Sequence, residues 1–172
     1  MLMVDLCCGL KGASRAMTER SWTVITLDIS PDFNPDIVAD VREWVYQGEK
    51  PDLVWASPPC NEFSREFMPW NKTGKPPDMS IYLACRRIIS QANPRFWIIE
   101  NVRGAVKYFG RPAQTFNPYY LWGFFPHLSK INLSSRVLKE SLSHGQTRAR
   151  AKIPYNISLA VALAVERQTS FF

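Results

Sequence analysis

Up to Glu100 the chain alternates short apolar runs with helical stretches, and most of the apolar runs stop at a residue capable of chemistry. Met1–Leu6 reads as a strand carrying Asp5, and Trp22–Leu27 as a second that closes on Asp28. Asp36–Ala39 reads as a short third strand followed by Asp40. Asp52–Ala56 is a fourth, cut off by Ser57-Pro58-Pro59-Cys60, and Phe96–Ile99 a fifth, ending at Glu100. Ala13–Arg20, Val41–Gln47 and Met79–Ala92 read as helices, and Asn61–Pro77 as a long loop. Such alternation builds βαβ units around a parallel sheet. Ligands of these sheets bind outside the carboxyl ends of the strands, where the acids and Cys60 fall. Beyond Arg111 the pattern loosens, with an aromatic stretch at Tyr119–Phe125 and a closing helix at Ile157–Val165 that Asn156 is placed to cap. With no internal repeat and no linker, residues 1–172 are expected to form a single domain.

Composition narrows the classes. Hydrophobic residues make up 46% and aromatics 13%, enough to build a core and too many for a disordered chain. No apolar run approaches the roughly 18 residues of a membrane span, and Asp5 follows the N-terminus too closely for a secretory signal. The cysteines Cys7, Cys8, Cys60 and Cys85 form no Cys-x-x-Cys pair, and the histidines are His127 and His144 alone, so neither a zinc site nor a disulfide framework is expected. A cytoplasmic protein with reduced thiols and no membrane partner fits these features. Residues 1–85 carry 8 basic and 12 acidic side chains, whereas residues 86–172 carry 13 basic and 3 acidic. A basic half attracts phosphate backbones whatever their sequence.

After the first strand, Gly9 and Gly12 allow a tight turn and close approach of a ligand to the backbone. Their Gly-x-x-Gly spacing is short of the dinucleotide fingerprint. Asp28 ends the second strand, where a carboxylate can accept from ribose hydroxyls. Asp40 could accept from an exocyclic amine; for both acids the plainer alternative is a helix cap or a surface charge. Together they describe a site for an adenosine-containing ligand without a pyrophosphate. Pro58-Pro59 stiffens the approach to Cys60, which presents that thiol to a pocket. A nearby cation, with Arg65, Arg148 and Arg150 as candidates, would favour its nucleophilic thiolate. Glu100 follows a buried strand, so burial should raise its pKa toward values suited to proton donation.

These residues, in this order, resemble the cytosine-5 DNA methyltransferases. Asp5-Leu6-Cys7-Cys8-Gly9-Leu10-Lys11-Gly12 is similar to the first cofactor motif of that family, Ser57-Pro58-Pro59-Cys60 with Phe63-Ser64 to its nucleophile motif, and Glu100-Asn101-Val102 to the motif that holds the target base. Gln146-Thr147-Arg148-Ala149-Arg150 resembles its Gln-x-Arg-x-Arg motif, and Asn156 the asparagine of its last cofactor motif. The resemblance implies a truncated Rossmann-like fold of the S-adenosylmethionine-dependent methyltransferases: α/β, a mostly parallel sheet with helices on both faces. It implies S-adenosylmethionine as methyl donor, held by Asp5, Cys7, Gly9, Gly12, Asp28, Ile29, Asp40, Val41, Pro58 and Asn156. Cys60, Glu100, Arg148 and Arg150 would carry the chemistry on a cytosine in DNA, and Ser64, Arg65, Asn101 and Val102 would contact the substrate. The basic half would then face DNA, while the acidic half holds the cationic donor.

The chain departs from the family pattern at Cys7 (usually phenylalanine), Lys11 (glycine), Asn61 (glutamine) and Tyr155 (glycine). Arg150 is followed almost directly by Asn156, which leaves no room for a target recognition domain. The segment Phe116–Pro126 either replaces part of it or packs in the core, the reading preferred here. Low or short-site specificity follows. The alternatives are action on RNA or single-stranded DNA, a homodimer or partner subunit that supplies recognition, or a non-catalytic nucleic-acid-binding relic. A compact modification enzyme of a virus or of a restriction-modification system fits the same features.

Overall fold

Within each central strand, successive side chains enter two different apolar layers, and this alternation decides which chemistry faces which helix. A computed structural model describes residues 1–64, 75–129, 131 and 152–169. The strands β1 (Leu2–Leu6), β2 (Thr23–Asp28), β3 (Ile37–Val38), β4 (Leu53–Ala56), β5 (Phe96–Asn101), β6 (Gln114–Phe116) and β7 (Tyr119–Phe124) form one sheet in the order β3-β2-β1-β4-β5-β7-β6. The five strands β1 to β5 pair in parallel, whereas β7 runs antiparallel to both β5 and β6. The helices are α1 (Arg15–Glu19), α2 (Asn61–Ser64), α3 (Ser80–Ala92), α4 (Val106–Phe109) and α5 (Tyr155–Thr169).

Met3, Leu53, Trp55, Phe96 and Ile98 face α1 and α5 and pack with Ala16, Met17, Ile157, Val161 and Val165. Their neighbours in sequence, Val4, Leu6, Val54, Ala56 and Ile99, face α3 and pack with Ala84, Cys85, Ile88 and Ile89. Both faces of the sheet are therefore covered, which explains why the strands read as apolar runs. The buried Ser158 hydroxyl ties α5 to α1, donating to the Ala13 carbonyl at 2.6 Å and accepting from the Ala16 N–H at 3.0 Å. At the far end of α5, Glu166 accepts two hydrogen bonds from Arg20 and one from the Trp22 indole. The parallel βαβ sheet expected from the strand–helix alternation is present, and it is a Rossmann-like α/β sheet with helices on both faces, as the family resemblance implied.

Several local expectations need correction. Residues 41–47 form a turn and an irregular segment, not a helix. Arg87 on α3 donates to the carbonyls of Val41, Arg42 and Trp44, which meets their hydrogen-bonding needs without a helix. Trp44 and Tyr46 meet edge to face and pack with the α3 layer. Asn156 lies inside the first turn of α5 rather than at its cap, because the Pro154 carbonyl already accepts from Ile157 and Ser158. The loop after Cys60 opens with the helical turn α2. The aromatic stretch is the strand β7 of a hairpin, with Tyr119, Leu121 and Trp122 buried in the core. That supports the packing reading over a substitute for a recognition domain, although Phe124 stays 65% exposed.

Candidate functional site

The site is built at the carboxyl ends of β1, β2, β4 and β5, and its two halves are organised differently. On the β1–β2 side the chain leaves β1 through three left-handed residues, Cys7 (φ 55), Gly9 (φ 48) and Lys11 (φ 54). A side chain on Gly9 would meet nothing within 4 Å, so open space lies beside it. Gly12 is different: a Cβ there would come within 2.6 Å of the Ile153 backbone, so packing of the chain on itself requires a glycine here. Asp28 accepts from the Gly9 N–H at 2.9 Å and from the Ser30 N–H at 3.0 Å, which leaves lone pairs on both oxygens for a ligand. Ile29, the next residue, is 63% exposed.

Asp5 is fully buried, and neither carboxylate oxygen closes a hydrogen bond. Burial pushes its pKa up to about 7, the Asp28 charge adds to this, and the nearby Ser14 hydroxyl and Lys11 oppose it. Asp40 is tied to its neighbour. Arg42 reaches both of its oxygens, the shortest contact at 2.5 Å, and these hydrogen bonds hold Asp40 down to about 2. An exocyclic amine therefore has to share this carboxylate with Arg42. Val41 is 4% exposed and packs in the α3 layer, so its side chain serves the core. The Cys7 thiol is pushed up, first by its contact with Cys85 on α3 and then by burial. Asn156 is exposed on α5.

On the β4–β5 side, Asn101 is buried and donates from its Nδ2 to the Pro58 carbonyl at 2.9 Å, while its Oδ1 accepts from the Val102 N–H at 2.9 Å. This clamp ties the end of β5 to the Pro58-Pro59-Cys60 turn. The Ser64 hydroxyl donates back to the Cys60 carbonyl at 2.9 Å and so closes the α2 turn. Glu100 lies within β5, one residue beyond the pairing of Ile99 with Ala56. Desolvation pushes it up to about 8, and a hydrogen bond from Ser57 partly opposes the rise. Cys60 is also pushed up, first by burial and then by the Glu100 charge, which places the two groups within electrostatic reach of each other. The cations expected to favour a thiolate, Arg65, Arg148 and Arg150, lie outside the described residues.

Sequence reading missed Ser57 and Trp55. The Trp55 indole donates to the Ser57 hydroxyl at 2.8 Å. The signal was present: Ser57 and Glu100 are each the first polar residue after an apolar strand, and parallel register sets them side by side.

Residues 1–117 match the family model described as C-5 cytosine-specific DNA methylase. The chain belongs to that family. It is 39% identical over 70 residues to a probable DNA (cytosine-5)-methyltransferase of frog virus 3 (isolate Goorha), a match that covers 38% of this chain and 31% of the viral protein. The chain thus matches less than a third of that relative's length. Among solved structures, a protein described as a DNA modification methyltransferase encoded within an E. coli prophage superposes with a TM-score of 0.48 at 21% identity, covering 64% of this chain and 35% of that one. The PH0226 protein of Pyrococcus horikoshii OT3 superposes with a TM-score of 0.38 at 14% identity, covering 72% and 65%. For the family member the sheet is the Rossmann-like sheet of the methyltransferases. No helix among the described residues is long and apolar enough to cross a membrane.

Proposed function

We propose that this chain is one catalytic domain that transfers a methyl group from S-adenosylmethionine to carbon 5 of cytosine in DNA, with Cys60 as covalent nucleophile. One observation carries the reading: in a member of this family, a thiol and a desolvated carboxyl group stand at the ends of adjacent parallel strands, within electrostatic reach of each other.

The residues suit the donor. Gly9 faces open space, and Asp28 is oriented by two backbone N–H groups with lone pairs left for ribose hydroxyls. Asp5 is an orphaned carboxylate beneath the same turn, in keeping with a cationic ligand. When bound, the donor supplies an electrophilic methyl group. With a cytosine turned out of its stack at a cost of a few kcal/mol, Cys60 would lose its thiol proton to solvent and add through sulfur to carbon 6. With a pKa of about 8, Glu100 is mostly protonated at neutral pH and can give its proton to ring nitrogen 3. In that neutral form it also no longer repels the developing thiolate. Carbon 5 would then take the methyl group from the donor's sulfonium sulfur, a base would remove the carbon 5 proton, and Cys60 would leave as thiolate while nitrogen 3 returns its proton to Glu100. Asn101 keeps the Cys60 turn and the Glu100 strand in one rigid unit.

The test is covalent trapping. Duplex DNA containing 5-fluorocytosine, incubated with protein and donor, should give an adduct stable to denaturation, and Cys60→Ala should give none. Parallel assays with labelled donor on duplex DNA, single-stranded DNA and RNA identify the substrate. Labelling of RNA alone overturns DNA as the target, and labelling that persists in Cys60→Ala overturns the covalent route.

A further inference from the structure

Ser57 lies between the nucleophile turn and the fully buried part of the sheet, and three observations place it against Glu100. First, β4 pairs with β5 so that Ala56 faces Ile99, which brings the next residues, Ser57 and Glu100, side by side. Second, alternation puts both side chains on the α1–α5 face, the layer that holds Trp55 and Ile98. Third, the Ser57 hydroxyl lies close enough to Glu100 to oppose the rise in its pKa, and its oxygen accepts from the Trp55 indole at 2.8 Å. Trp55 is 0% exposed, so this donor sits in a packed, fixed position.

A serine hydroxyl has one proton to give. With Trp55 N–H on its oxygen, that proton is directed at Glu100. A neutral carboxyl group has one oxygen that carries the proton and one that accepts. We propose that Ser57, anchored by Trp55, is a positioning residue for the Glu100 acid: it donates to one carboxyl oxygen and so keeps the acidic proton on the other, turned toward the base. This rests on the methyl-transfer reading of Glu100. Among the described residues, the other titratable groups that face Glu100 are Cys60, from the turn after β4, and Tyr119, at the start of β7. Both residues are kept in the Ser57 variants.

The full-length protein tests this with Ser57→Ala, Ser57→Thr and Trp55→Phe. Carbon-13 NMR of labelled glutamate carboxyl groups follows Glu100 without any substrate. Ser57 opposes the rise in the Glu100 pKa, so in Ser57→Ala the titration midpoint should move to higher pH; Ser57→Thr should restore it, and Trp55→Phe should fall between. An unmoved midpoint in Ser57→Ala overturns the contact. In methyl transfer to DNA, Ser57→Ala should lose roughly tenfold in kcat through misorientation, with the KM for donor unchanged and recovery in Ser57→Thr. A shifted midpoint with wild-type kcat overturns the positioning role. If Ser57→Ala does not fold, Ser57→Thr and Trp55→Phe still decide the matter, since a wild-type midpoint and kcat in Trp55→Phe overturn the anchoring. A wild-type protein that titrates as expected but transfers methyl to no nucleic acid overturns the methyl-transfer reading while leaving the Ser57–Glu100 contact intact.

Discussion

The two halves of the site handle their acids in opposite ways. At the ends of β1 and β2, Asp28 accepts from two backbone N–H groups and Asp40 is clamped by Arg42. At the ends of β4 and β5, Glu100 has lost its hydration and keeps one described donor, Ser57, so its proton stays on to about pH 8. Under the proposed function, the first half would hold the donor and the second would hold and release a proton. Asp5 breaks this division, since it sits in the first half yet is treated like Glu100: buried and raised to about 7. The lesson is that strand position alone does not set the charge of a carboxyl group; the donors around it do.

The contrast can be broken most sharply at Glu100. Glu100→Gln cannot supply the acidic proton, so kcat should fall roughly 100-fold or more. In the wild type, transfer should decline as pH rises through about 8, where Glu100 loses its proton. That limb should vanish from the pH–rate profile of the variant. A variant that keeps the limb would assign it to another group.

Asp5 offers the next largest effect. Its pKa lies near 3.8 when unfolded and about 7 when folded, so folding takes up a proton between those values. The Asp5 contribution to stability should therefore fall by roughly 4 kcal/mol as pH rises through that window, beside a slope of the same sign from Glu100. Asp5→Asn should make the slope shallower by the Asp5 share, whatever it does to absolute stability. Urea unfolding at a series of pH values reads the slope, and a slope unchanged between the two proteins would show that Asp5 titrates normally.

Gly12→Ala probes packing on the donor side. Its Cβ would have to displace the Ile153 backbone, at a cost of roughly 1–3 kcal/mol. Thermal unfolding should register that loss without donor present. A variant of wild-type stability with weakened donor binding would return Gly12 to the ligand. The smallest effect is expected at Arg42. It is an exposed partner, so Arg42→Ala should leave Tm nearly unchanged. Releasing the Asp40 carboxylate should tighten donor binding a few-fold, measured by calorimetry; weaker binding would make Arg42 itself a ligand.

Much of this organisation was legible along the chain. The five parallel strands, the long helix α3 and the chemical residues at strand ends follow from apolar runs of strand length interrupted by polar or proline stops, a signal carried by adjacent residues. The β6–β7 hairpin was not legible, because its aromatic strand has the same composition as a packed loop and its pairing with β5 joins distant segments. The helix expected at residues 41–47 failed for a similar reason, since Arg87, far along the chain, satisfies those carbonyls.

Residue order thus specified which groups are available: the thiol, the acids, the glycine turn and the basic half. It did not specify their protonation or their partners. Whether Glu100 keeps its proton, whether Asp40 is free, and what Gly12 makes room for depend on desolvation and on contacts such as Ser57 with Glu100, Arg42 with Asp40 and Ile153 with Gly12. Burial and hydrogen bonding between segments arise only once the sheet is assembled, and they set the energies that separate a neutral acid from a charged one.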